Sequence, residues 1–233
     1  MSVVPRLRRF ASAVLTTASL LSLTTASSAA VLLFADADGT ANWNSSEQAW
    51  THGGTPTGWI AASDAQFSNG NAANVLTLTG PIDVATIAQT AAGTRTTIDG
   101  SGQTLTLSGG GVDAVVLNSS GSDLTFGSGL TLALNPATAQ RWNAASGSNI
   151  IVNGTLTGTL TGGLYKEGAG VLELNGANNH SGSTYLTEGI LHAGNAASFG
   201  TSSIVFQGGT LRYGVAVTGG FSSQFAALSG SAA

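Results

Sequence analysis

The feature that most constrains this chain is a short apolar-alternating run, closed by Gly, Asn or Ser, that recurs along most of its length. Val75-Leu76-Thr77-Leu78-Thr79-Gly80, Thr104-Leu105-Thr106-Leu107-Ser108-Gly109 and Asp123-Leu124-Thr125-Phe126-Gly127 are three such runs. Leu130 to Leu134, Ile150 to Gly154, Val171 to Gly176, Gly189 to Ala193 and Ser203 to Gly208 continue the pattern. A period of two means strands with one face in and one face out. Thr is the usual outward residue, being β-branched and uncharged. The runs are too short for helices. The exception is Pro136 to Ala145, where Pro and small residues predict one helical turn.

Two all-β architectures compete for such a pattern. A sandwich needs long strands over a thick core rich in bulky side chains. Here aromatic residues are only 6% of the chain and the inward residues are mostly Leu, Val and Ile. The pattern predicts an all-β fold, a right-handed parallel β-helix of short strands, in which each strand pairs with its equivalents above and below. Gly and Asn take the left-handed turn conformations. The low charge follows as well: 8% of residues are charged, against about 25% in an ordinary domain. Like residues stack about 4.8 Å apart in such a solenoid, and a ladder of like charges would repel. At roughly 22 residues per coil, the chain after residue 30 makes some nine coils, a rod about 45 Å long.

Composition excludes several functions. With 7 Lys and Arg and a pI near 5.1, the chain lacks the basic surface of a nucleic-acid binder. Without Cys it has neither disulfides nor a zinc–cysteine site. No small-molecule cofactor is expected.

The first thirty residues read as an export signal. Arg6, Arg8 and Arg9 precede the uncharged apolar stretch Phe10 to Leu23, and Ser28-Ala29-Ala30 supplies the small residues of a cleavage site. The stretch is fourteen residues long, short of the ~20 that a membrane-spanning helix needs. Cleavage is expected after Ala29 or Ala30. The remaining chain has four basic residues, Arg95, Arg141, Lys166 and Arg212, against all eleven acidic ones.

From Gly162 to Asn195 the sequence is GGLYKEGAGVLELNGANNHSGSTYLTEGILHAGN. It resembles the autotransporter-associated β-strand repeat, also called the passenger-associated transport repeat. Gly163, Leu164, Lys166, Gly168 and Gly170 match its opening. Leu172, Leu174, Gly176, Ala177, Asn178, Ser181, Gly182 and Thr184 match its middle, and Gly189 and Leu191 its end. Leu172, Leu174, Ile190 and Leu191 are expected to be among the buried residues, with Glu173 outward. His180 stands where the repeat usually has an aromatic residue, and Tyr165 fills a normally small position. Gly208-Gly209-Thr210-Leu211 is similar to the strand that often follows. The resemblance implies a secreted or surface-displayed β-helical passenger and carries no catalytic residue. On this reading the chain divides into a signal peptide (1–30), a Trp-containing N-terminal cap (31–74), β-helix coils (75–162), the passenger-type repeat with its following strand (163–213) and an incomplete C-terminal coil (214–233). More repeats and a barrel or other anchor are expected to follow. Surface glycans or other cell-surface proteins are the expected partners.

Candidate chemistry is sparse. Asp36-Ala37-Asp38-Gly39 has part of a calcium loop, but Phe34 and Ser45 stand where that loop needs acids, so it reads as a turn. Gly109-Gly110-Gly111-Val112-Asp113 is a single misspaced echo of a calcium-binding nonapeptide. His52, His180 and His192 are too scattered for a metal site. Asn44, Asn118, Asn153 and Asn179 begin Asn-x-Ser/Thr triplets, which a Ser/Thr-rich chain produces by chance. Trp43, Trp50, Trp59 and Trp142 read as cap and core; a sugar-stacking platform on Trp43, Trp50 and Trp59 is the sharper alternative and requires exposed rings. Lys166 reads as a turn residue whose stem covers an apolar rim. Glu167 and Glu188 are 21 residues apart; stacked on adjacent coils they would lie about 5 Å apart, as in a retaining glycosidase. The sequence therefore predicts a non-catalytic structural or adhesin-like rod, with no catalytic, cofactor or metal residues. A β-helix polysaccharide lyase or glycosidase, recognisable by acids clustered with Arg or Lys in a groove, is the alternative.

Overall fold

The computed structural model describes residues 29–109, 113–214 and 220–225. The chain is a parallel β-solenoid. One sheet holds eight strands: Thr40–Trp43, Ala73–Leu78, Arg95–Asp99, Asp123–Phe126, Asn149–Val152, Val171–Leu174, Ile190–Ala193 and Thr210–Tyr213. Every neighbouring pair in it is parallel. Between successive members the chain crosses to the other sheet. That sheet stacks Val31–Phe34, Ser63–Phe67, Ile82–Gln89, Ala114–Asn118, Gln140–Ala144, Thr159–Glu167, Ser181–Leu186 and Ser203–Phe206. Thr104–Leu107, Thr131–Leu134 and Thr155–Thr157 form a short third face in the middle coils. No α-helix occurs among the described residues.

The alternating sequence explains the core. In the eight-stranded sheet Leu76, Ile98, Phe126, Val152, Leu174 and Ala193 stack in register, and Leu124, Ile150, Leu172 and Leu191 form the next column. All are buried. Each large aliphatic side chain in these columns contributes about 1.5–3 kcal/mol relative to exposure.

Three expectations are corrected. The solenoid is eight strands deep rather than nine coils, because the coils are unequal. Paired residues are 20 apart at His192 and Arg212, 22 at Asn74 and Thr96, and 26 at Asp123 and Asn149. An antiparallel hairpin, Trp50–His52 with Thr55–Thr57, is inserted into the first coil and stretches the step to 35 residues at Asn44 and Thr79. Pro136 to Ala145 holds no helix. Gln140–Ala144 is a strand whose Gln140, Trp142 and Ala144 point inward, so its alternation overrides the small-residue composition. Between Gly162 and Asn195, Leu172, Leu174 and Leu191 are buried and Glu173 faces out, as expected, but Ile190 is only half-buried. The inward partner of Leu191 along that strand is Ala193.

The inserted hairpin also closes one end. Leu33 pairs antiparallel with Thr51, and Phe34 with Trp50, which covers an edge the first strand would otherwise leave open. Behind it Phe34, Trp43, Trp50, Trp59 and Phe67 pack with ring centroids 4.9–6.5 Å apart. The expected export signal lies outside the described residues except for Ala29 and Ala30. Most of 214–233 lies outside them too.

Candidate functional site

The outward side chains of the two large sheets form two polar ladders. On the sheet that starts at Val31–Phe34, strand register stacks Val115, Arg141, Tyr165, Tyr185 and Val205. Arg141 Nε donates to Asp113 Oδ2 at 2.8 Å and Arg141 Nη1 to Glu167 Oε1 at 2.6 Å. The guanidinium lies 4.8 Å from the Tyr165 ring centroid. Tyr165 and Tyr185 stack at 4.5 Å with an interplanar angle of 11°. Asp113 and then Glu167 hold the Arg141 guanidinium above its ordinary range. The pairs are partly solvated, and such pairs contribute about 0–1 kcal/mol each.

On the eight-stranded sheet Glu173, His192 and Arg212 occupy successive rungs of one column. His192 Nδ1 lies 3.4 Å and Arg212 Nη2 3.5 Å from Glu173 Oε1, and Arg212 Nη2 is 3.3 Å from His192 Nδ1. The two charged residues, Glu173 and Arg212, stand two rungs apart with His192 between them.

Asp36 and Asp38 form the expected turn. Asp36 Oδ1 accepts from the Asp38 backbone N–H, and Asp38 Oδ1 accepts from the N–H and hydroxyl of Thr40. The Thr40 bonds hold Asp38 below the usual carboxylate range, while burial and the neighbouring Asp38 raise Asp36. Of the glycine-rich segment before Asp113, residues 110–112 lie outside the described residues.

The histidines stay apart. His52 Nδ1 is 3.3 Å from Val31 O at the capped end, His192 sits in its ladder, and His180 is buried with neither ring nitrogen bonded. Among the described residues no three His, Asp or Glu side chains are placed to hold a metal ion. Asn118 is buried, its amide bonding Ser122 O and Asn149 O, so its triplet is closed to modification in the folded chain. The four Trp are all buried, none more than 5% exposed, so Trp43, Trp50 and Trp59 form no sugar-stacking platform. A cavity of about 270 Å³ beside Trp43 and Trp59, reaching Asp83, touches neither polar ladder.

Two candidate roles are overturned. Lys166 is no rim residue: it is fully buried in an inward column between Trp142 and Leu186. Parity carried the signal, because Lys166 lies two residues from the inward Leu164. Glu167 and Glu188 are not stacked. The register pairs Lys166 with Leu186, which brings Thr187 alongside Glu167. Glu167 is bound to Arg141, and the backbone carbonyl of Glu188 accepts from Lys166 Nζ.

The Asp113–Arg141–Glu167 cluster was missed in the sequence. Its signal, a residue one coil from another, depends on coil lengths that differ along the chain. Both carboxylates share one guanidinium, which leaves neither placed as a free nucleophile or proton donor. Comparison with known proteins finds no matching family model, no matching curated protein and no matching solved structure.

Proposed function

We propose that the chain is a segment of an exported β-helical passenger, a rigid spacer at the cell surface whose outward ladders serve adhesion rather than catalysis. The observation that carries this reading is the unbroken run of eight parallel strands, with apolar columns continuous beneath it and the antiparallel hairpin confined to an end. A stack of this kind resists bending and leaves few backbone groups free for a protease. The resemblance of Gly162 to Asn195 to passenger repeats, and the basic-then-apolar start of the chain, support the export side of the reading.

The alternative, a carbohydrate-active enzyme, draws on one feature, the meeting of Asp113, Arg141 and Glu167. The test is expression of the whole chain in a bacterial host that exports passengers. The expected product starts at Ala30 or Val31, lies outside the cytoplasm and resists added protease. Cytoplasmic material retaining Met1 would refute export. Cleavage of acidic or neutral polysaccharides by the purified chain, lost in Glu167→Gln, would replace the spacer with the enzyme.

A further inference from the structure

Two turns on consecutive coils meet around one atom. The Lys166 ammonium donates to Glu167 O at 2.7 Å, to Gly168 O at 2.5 Å and to Glu188 O at 3.1 Å. Three acceptors match the three N–H donors of an ammonium; a neutral amine has one fewer. The lysine is fully buried, so water does not compete for these bonds. The first two carbonyls lie at the end of Thr159–Glu167 and in the turn it enters, and the third in the turn after Ser181–Leu186, one coil on. The ammonium therefore bridges the two coils.

The surroundings are shaped for it. Gly168 and Gly189 both have positive φ, +72° and +69°, which turns the backbone carbonyls toward the lysine. A Cβ on Gly189 would stand 2.8 Å from Lys166 Nζ, 2.3 Å from Gly168 O and 2.5 Å from Gly170 O. The corner closes only around a bare glycine. Burial works against the charge here, and the negative fields of Glu188 and Glu167 offset part of that cost.

We propose that this corner is a cation site built of backbone carbonyls, that its ligand is a primary ammonium ion, and that Lys166 occupies it in cis to fasten one coil to the next. A quaternary ammonium, with no N–H, cannot make these bonds, and a planar guanidinium does not aim its donors at three converging oxygens. The inference rests on the geometry of the corner and not on the spacer reading.

The chain has a single lysine, so selective ¹⁵N-lysine labelling gives one side-chain ammonium signal. In the wild type at neutral pH that signal should be visible and slow to exchange with water, with hydrogen-bond couplings to the carbonyl carbons of Glu167, Gly168 and Glu188. Exchange as fast as that of a free lysine would overturn the proposal. Lys166→Ala lacks the rest of the side chain, which n-propylammonium supplies. Propylammonium should raise the melting temperature of this variant saturably, leave the wild type unchanged and fail on Lys166→Ala combined with Gly189→Ala. An equal effect of tetramethylammonium, or an equal effect on the wild type, would also overturn it. Should Lys166→Ala not fold, the wild-type spectrum alone decides.

Discussion

His180 is buried with both ring nitrogens unbonded. Burial pushes its pKa down to about 4, whereas an unfolded histidine titrates near ~6.5. As pH falls the unfolded chain takes up this proton first. The stability due to neutral His180 is complete above about pH 6.5 and is lost progressively toward pH 4. His180→Phe should therefore melt higher than the wild type at pH 7, and the gap should widen in melts taken down to pH 4. Burial pushes the Lys166 ammonium down to about 8, against the pull of Glu188 and Glu167, so at neutral pH it keeps its proton and its three carbonyl bonds.

For the strand Val171–Leu174, alternation decides which substitutions matter. Leu174→Asp places an unpaired carboxylate in a continuous aliphatic column and should cost several kcal/mol, roughly 3–5 by the usual scale for buried charge. Glu173→Gln weakens only the surface contacts with His192 and Arg212 and should cost less than about 1 kcal/mol. Thermal melts giving the reverse order would shift the register by one residue. At the turn that follows, a Cβ on Gly176 would stand 1.9 Å from Gly154 O, whereas one on Gly121 meets nothing within 4 Å. Gly176→Ala should thus destabilise far more than Gly121→Ala, although only Gly121 has a positive φ. These strands were legible because a period of two is local: Leu172, Leu174 and Leu191 declared their face through their neighbours. Lys166 obeyed the same parity, but its charge argued for solvent, and the carbonyls that hold it come from two turns that only the fold brings together. Ile190 failed because a lone apolar residue at the start of a strand does not say which way it points. Arg141 over Tyr165 needed the register between coils, which unequal turns conceal from any fixed spacing.

Across the whole molecule each coil touches mainly its two neighbours, so stability is a chain of local interfaces rather than one shared core. The two ends differ. The hairpin and five packed rings cover the first coil, while at the other end Phe206 and Tyr213 stay partly exposed, their rings packed on those of Phe225 and Phe221. Hydrogen exchange followed by mass spectrometry should find the slowest amides in Ser63–Phe67 and Ile82–Gln89 and the fastest strand amides in Thr210–Tyr213. Uniform protection from end to end would mean that the coils unfold as one unit. The unequal coil lengths also give the stack a graded extensibility under load. Pulled by its two ends, a ladder of this kind opens one rung at a time, and each opening releases the contour length of one coil. At about 3.4 Å per extended residue, the 20-residue step at Arg212 yields about 70 Å and the 26-residue step at Asn149 about 90 Å. The spacing of force peaks along one extension trace would then identify which coil gave way.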